Sequence, residues 1–277
     1  MFSPTQLAIT ERVPKGISGH RPRPIVVLVH GSLDRSTSFV RVVRRLSDLH
    51  TIVYDRRGYH RSRRALPLNT TLDGHVDDLL EVIGGRAAVV IGHSYGGDVA
   101  LGAALRSEDG ASITGVAAYE PPLPWLNRST TRPDRSTPGH DPGSSADNGS
   151  GDDDRATAER FFKRMVGDAA WDRLPEETRE ARRAEGPALA AELGAIRVAE
   201  APFDVTDLRI PAVFARGENS IPRHREAVAW LVEHTPDAEL FEIAGAGHGA
   251  HLTHPDAFAA MVRHALERAV QTAGTNG

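Results

Sequence analysis

Ala88-Val89-Val90-Ile91-Gly92-His93-Ser94-Tyr95-Gly96-Gly97 is the stretch that decides the fold. Four apolar residues run into a turn in which glycines flank a serine, and Ser94 to Arg106 then follows a helical pattern. A strand, a sharp turn and a helix, with the serine at the corner, is the context in which G-x-S-x-G lifts a hydroxyl above the edge of a sheet. Gly92 and Gly96 belong there because a side chain on either would clash where strand and helix approach. Without the strand and helix around it, the pentapeptide would read as readily as a glycine-rich turn with an incidental serine.

On either side of this stretch the same alternation continues. Short apolar or β-branched runs occur at Ile25–Val29, Thr51–Tyr54, Ala87–Ile91, Ile113–Tyr119, Ala212–Ala215 and Glu239–Ile243. Helical patterns separate them, which predicts an α/β fold with a mostly parallel sheet covered on both faces. Thr71 is placed to cap a helix reaching Ile83, where Gly84 and Gly85 stop it, and Val76, Leu79, Leu80 and Ile83 share one face of it. Further helices are expected over Pro222–Glu233 and from about His254 to Val270, with a frayed tail over Thr272–Gly277.

One segment breaks the alternation. Residues 127–154 hold no Val, Ile, Leu, Met, Phe, Tyr or Trp and end in Asp152-Asp153-Asp154. Such a stretch buries too little surface to offset its ordering entropy, so a mobile loop is expected. Helical patterns over Ala156–Val166 and Pro175–Leu193 follow it. The expected organisation is a core made of residues 1–120 and 206–277, interrupted by an insertion over 121–205 that forms a small helical cap.

Composition narrows the classes. A chain of 277 residues suits one large α/β domain. The absence of cysteine excludes a disulfide framework, thiolate metal sites and a cysteine nucleophile. A net charge of −4, from 33 basic and 37 acidic residues, does not suggest a nucleic-acid partner. The longest strongly apolar run, Ile25–Val29, is far below the roughly 18 residues of a membrane span. MFSPTQLAIT lacks the basic start and apolar stretch of a signal peptide, so a cytoplasmic location without a membrane partner is expected. Nothing in the sequence speaks to oligomeric state.

With these residues in view, the chain resembles the α/β-hydrolase family in its serine-nucleophile branch, over nearly all its length apart from the polar loop. Four segments carry the resemblance: Val29-His30-Gly31-Ser32, Tyr54-Asp55-Arg56-Arg57-Gly58-Tyr59, the turn at Ser94, and Gly245-Ala246-Gly247-His248. The resemblance implies a Ser–His–acid mechanism with Ser94 as nucleophile and His248, on a glycine-rich loop after the last strand, as base. It also implies that the backbone N–H groups of Ser32 and Tyr95 form an oxyanion hole. His30, Asp55, Arg56 and Arg57 are expected to be structural, and His60 a solvated loop residue.

The acid departs from the family pattern. Most relatives carry it in Gly-x-x-Asp after the strand that here is Ala212–Ala215, but this chain has Gly217-Glu218-Asn219-Ser220. Serine cannot supply the charge that stabilises an imidazolium. Glu120, held by Pro121-Pro122 at the end of the preceding strand, is the first choice. Glu218 and an acid-free Ser–His pair are the alternatives.

His248, His251 and His254 lie close in sequence, but no carboxylate or cysteine cluster accompanies them, so neither a metal nor another cofactor is expected. Trp125, Phe161, Phe162 and Trp171 either line the apolar part of a small-molecule acyl substrate or fill the insertion's own core. The expected activity is hydrolysis of a small or medium ester, thioester or lactone through an acyl-enzyme. A C–C bond hydrolase, a biosynthetic cyclase and a non-catalytic ligand-binding protein are the rival readings.

Overall fold

The structure, a computed structural model, describes residues 7–14, 23–66, 70–107, 112–126, 151–195 and 201–275. Seven strands form one sheet: β1 (Ile9–Arg12), β2 (Ile25–Val29), β3 (Thr51–Tyr54), β4 (Ala88–His93), β5 (Ile113–Tyr119), β6 (Ala212–Gly217) and β7 (Ala238–Ile243). Their spatial order is β1-β3-β2-β4-β5-β6-β7, and only the β1–β3 pair is antiparallel. β2, β3 and β4 are buried at every position, as strands covered on both faces must be, and so they read as continuous apolar runs. β1 is the strand the sequence did not announce. Ile-Thr-Glu-Arg is exposed throughout and carries no apolar run to betray it.

The chain divides into two compact units, one of residues 1–122 with 202–277 and one of residues 123–201. In the first unit, α1 (Val40–Arg45) and α10 (Pro255–Thr275) cover one sheet face. Val42, Phe258, Met261, Val262 and Leu266 pack there on Val26, Leu28, Val89, Ile91 and Ala117. Ala118 points the other way and meets α3 (Tyr95–Arg106) beside α2 (Leu72–Ile83). The Thr71 hydroxyl accepts from the Gly74 amide at 3.1 Å, and Gly84 ends α2 with φ of 61°. Such a cap contributes about 1 kcal/mol. α8 (Pro222–His234) packs on β6 and β7, and the short α9 (Ala250–Thr253) precedes α10. The expected fraying from Thr272 does not occur as placed, because α10 continues to Thr275.

The second unit holds α4 (Gly151–Val166), α5 (Asp168–Asp172), α6 (Glu176–Arg183) and α7 (Gly186–Ala195). Most of the polar stretch expected to be mobile, residues 127–150, lies outside the described residues. Its last four residues are helical, a correction: acidic side chains such as Asp153 and Asp154 suit a helix amino end, where the first N–H groups are unpaired. The single helical stretch expected over Pro175–Leu193 is two helices. Gly186 starts the second, where a Cβ would lie 2.3 Å from the Asp154 carbonyl oxygen, and Pro187 has no N–H to continue the first. Among the described residues, no helix is long and apolar enough to cross a membrane.

Candidate active site

The segments that carry Ser94, Glu120 and His248 leave the sheet where the parallel strands end. In register, His93 of β4 faces Tyr119 of β5, Tyr119 faces Ala215 of β6, and Gly217 of β6 faces Ile243 of β7. The loops that leave these positions therefore start at one edge of the sheet, the carboxyl edge where α/β sites form.

Ser94 sits at the corner between β4 and α3 with φ of 54° and ψ of −131°. A Cβ on Gly92 would lie 2.2 Å from the Gly96 carbonyl oxygen, and one on Gly96 would lie 2.3 Å from that of Val29. Only glycine fits either position, which is why the motif has this spacing. A Cβ on Gly31 would come within 2.9 Å of Ser94 Cβ, so the Gly31-Ser32 loop lies directly against the serine. Tyr95 opens α3, where the first backbone amides have no partner within the helix.

The residues read as structural are spent on bracing that edge. The Arg56 amide donates to His30 Nε2 at 2.9 Å, and His30 Nδ1 donates to the Gly31 carbonyl at 2.8 Å. Burial, then the neighbouring Arg56 charge, lowers the His30 pKa to about 4, so the ring is neutral. Asp55 accepts from the Ser36 amide at 2.8 Å, Arg61 Nε at 2.8 Å and His60 Nδ1 at 3.0 Å. His60 is thus engaged by a carboxylate while its side chain stays 30% exposed. Arg57 pairs with buried Asp78.

Of the two carboxylates considered in the sequence, Glu120 is the one that meets His248. His248 Nδ1 lies 2.8 Å from Glu120 Oε2. The Gly217 amide donates to Glu120 Oε1 at 2.9 Å, and the Ser220 hydroxyl donates to the same oxygen. Glu120 is fully buried. Burial alone would raise its pKa, but the hydrogen bonds from His248, Gly217 and Ser220 outweigh it and hold the carboxyl below the ordinary value. Glu218 is exposed and accepts from the Gly245 amide at 2.8 Å, at the base of the loop that carries His248. Tyr119 ties that loop from inside, donating to the Gly247 carbonyl at 2.8 Å. Ser94 makes no side-chain hydrogen bond among the described residues; catalytic contacts of this kind often close only on a bound substrate.

Two histidines missed in the sequence complete the surroundings. His224, from α8, stacks on His248 with ring centroids 4.6 Å apart and 20° between planes. Burial, then the neighbouring His248, lowers its pKa to about 4. His93 donates from Nε2 to the His248 carbonyl at 2.8 Å, and burial drives its pKa well down. A histidine beside the serine is visible in the motif, but nothing local in the sequence brings His224 to His248.

Among the described residues, Leu33, His60, Ser94 and Glu120 are the non-glycine residues with left-handed φ, between 43° and 54°. They follow β2, β3, β4 and β5 respectively. Backbone strain of this kind collects where a structure holds functional groups in place.

The four aromatic candidates lie in the second unit. Trp171 is fully buried, its ring 5.3 Å from that of Phe162, and the guanidinium groups of Arg182 and Arg183 lie over Phe162 and Trp171. Trp125 is buried, and Phe161 is half-buried beneath Arg164.

A family model described as alpha/beta hydrolase family matches residues 26–261. The chain belongs to the alpha/beta hydrolase family. Among solved members of this fold, an esterase from Thermogutta terrifontis has a TM-score of 0.64 at 21% identity, over 95% of this chain and 93% of that one. An enol-lactonase from Burkholderia xenovorans has a TM-score of 0.67 at 19% identity, over 96% and 99%. At these identities the likeness to the two hydrolase-fold structures is one of fold. The polyketide synthase ThaQ of Burkholderia thailandensis is 29% identical over an alignment of 276 positions that covers 92% of this chain. The chain spans 12% of the length of that relative.

Proposed function

We propose that this family member is a serine hydrolase that cleaves a small or medium ester, thioester or lactone through an acyl-enzyme. The observation that carries the reading is the His248–Glu120 pair at 2.8 Å, on the same sheet edge as a strained Ser94. Neighbours named as an esterase and an enol-lactonase fit the same chemistry.

Ser94 Oγ attacks the acyl carbonyl carbon while its proton passes to His248 Nε2. Glu120 accepts from Nδ1–H, which selects the tautomer with a free Nε2 lone pair and stabilises the imidazolium. The carbonyl oxygen becomes an oxyanion facing the backbone amides of Ser32 and Tyr95, each such donor being worth about a hundredfold or more in rate. The tetrahedral intermediate collapses, the C–O or C–S bond breaks, and His248 returns its proton to the leaving alcohol or thiol. Water, deprotonated by His248, then attacks the acyl-enzyme and releases the acid.

Labelling with a fluorophosphonate probe tests the reading. The wild-type protein should label once and turn over p-nitrophenyl acetate; Ser94→Ala should do neither while keeping its melting temperature. Unchanged turnover by Ser94→Ala removes the serine-hydrolase reading, and a wild-type chain that neither labels nor turns over favours a ligand-binding role.

A further inference from the structure

Asp34, His93 and His251 come from three distant parts of the chain and meet in the first unit. One carboxylate oxygen and one nitrogen from each ring lie within 4.8 Å of one another. The two rings have centroids 4.1 Å apart. His251 Nε2 is 3.4 Å from Asp34 Oδ2, without the alignment of a hydrogen bond. His93 is 6% exposed and His251 2%.

These imidazoles are unsatisfied. His93 Nε2 donates to the His248 carbonyl, so a neutral His93 keeps a bare lone pair on Nδ1, and that buried nitrogen has no donor. Both ring nitrogens of His251 are buried without a hydrogen-bond partner. Buried polar atoms are nearly always paired, and a neutral ring carries one lone pair, so His93 and His251 offer two bare lone pairs beside one carboxylate, which suits something that accepts them. Asp34 is 21% exposed at its side chain, which leaves a way in.

The surroundings are those of a metal centre. A ligating histidine usually donates its other N–H to a backbone carbonyl or carboxylate, and a ligating carboxylate is itself hydrogen-bonded. His93 does the first through Nε2, and Asp34 receives the second from Ser38 Oγ at 2.9 Å. Tetrahedral zinc with bonds of roughly 2.0–2.1 Å sets its ligand atoms about 3.3 Å apart. The Asp34–His251 separation already has that value.

We propose that Asp34, His93 and His251 bind a divalent transition-metal ion of the zinc class, with water completing the coordination. Asp34 lies two residues after Ser32, His93 immediately before Ser94, and His251 three residues after His248. The ion would fasten together the three segments that carry the oxyanion amide, the nucleophile and the base. It would position them without touching substrate.

The test is metal binding to untagged, chelator-stripped chain, followed by the visible absorption of Co²⁺ and by titration calorimetry with Zn²⁺. It uses no substrate, so it stands or falls separately from the serine-hydrolase reading. One equivalent should bind, with d–d bands of a four- or five-coordinate site. Asp34→Asn and His251→Gln should each weaken binding by about tenfold or more. Because Glu120, His224 and His248 also place donor atoms within 4.8 Å of one another, His224→Ala serves as the control and should bind as wild type. Should His251→Gln fail to fold, Asp34→Asn, at a partly exposed position, still decides. No saturable binding overturns the proposal, as does wild-type affinity in Asp34→Asn or loss of binding in His224→Ala alone.

Discussion

Two neighbouring loops, the one after β5 and the one after β6, differ in the side chains they bring to His248. The β5 loop carries the carboxylate, Glu120, and the β6 loop carries Ser220 where an aspartate is usual. The difference is one of burial. Glu120 is completely enclosed, and an enclosed carboxylate stays ionised only when donors surround it. The end of β6 and the loop after it supply two such donors, the Gly217 amide and the Ser220 hydroxyl, and His248 is the third. The serine is therefore a partner of the Glu120 carboxylate and not merely a vacancy in the motif. The β6 loop's own carboxylate, Glu218, faces solvent and holds a backbone amide.

The comparison breaks most visibly at Glu120. Under the proposed mechanism, Glu120→Gln keeps the shape but reverses the tautomer preference of His248. A drop in kcat of at least roughly a hundredfold is expected with KM little changed, the analogous amide change in a serine protease having cost about 10⁴-fold. Steady-state kinetics at one pH, with melting curves to confirm folding, measure it. A near-normal Glu120→Gln would mean that the β5 loop only braces the site.

Ser220→Ala sharpens the division of labour. Losing one donor to a charged acceptor should lower kcat by about three- to tenfold, since the Gly217 amide and His248 remain. The pH dependence carries the sign. The Glu120 pKa is lowered in the folded protein, so the stabilisation from its ionised form is complete above the ordinary value of about 4.3 and disappears as pH falls through the lower folded value. Removing a donor raises that folded value. The acid limb of the melting temperature should therefore move to higher pH in Ser220→Ala. An unmoved limb would show that the hydroxyl does not support the carboxylate.

Glu218→Gln should have the smallest effect, less than about tenfold in kcat, because an amide oxygen can still accept from Gly245. If this variant is the crippled one, the two loops have the reverse roles.

The sheet was legible because each strand is its own signal. β2, β3 and β5 lie where apolar, β-branched runs place them, since a strand buried on both faces must be apolar at every residue. The exposed β1 needed no such run and sent no signal. The α6–α7 break was hidden because its cause, a backbone approach at Gly186, involves a residue 32 positions away, Asp154.

The same distinction separates the parts of the site. Local sequence determined the elbow, because the clash that forces glycine at positions 92 and 96 arises within one strand–turn–helix unit and its immediate neighbour. It marked His248 as a candidate by its glycines and Glu120 by its prolines. Only the tertiary structure set Glu120, and not Glu218, against His248, through a hydrogen bond spanning 128 residues. It alone gave Ser220 an acceptor, brought His224 against the base, and joined Asp34 to His93 and His251. Hydrogen bonds and ring contacts act over a few ångströms of space, and a folded chain brings within that range residues whose separation along the sequence carries no trace of it.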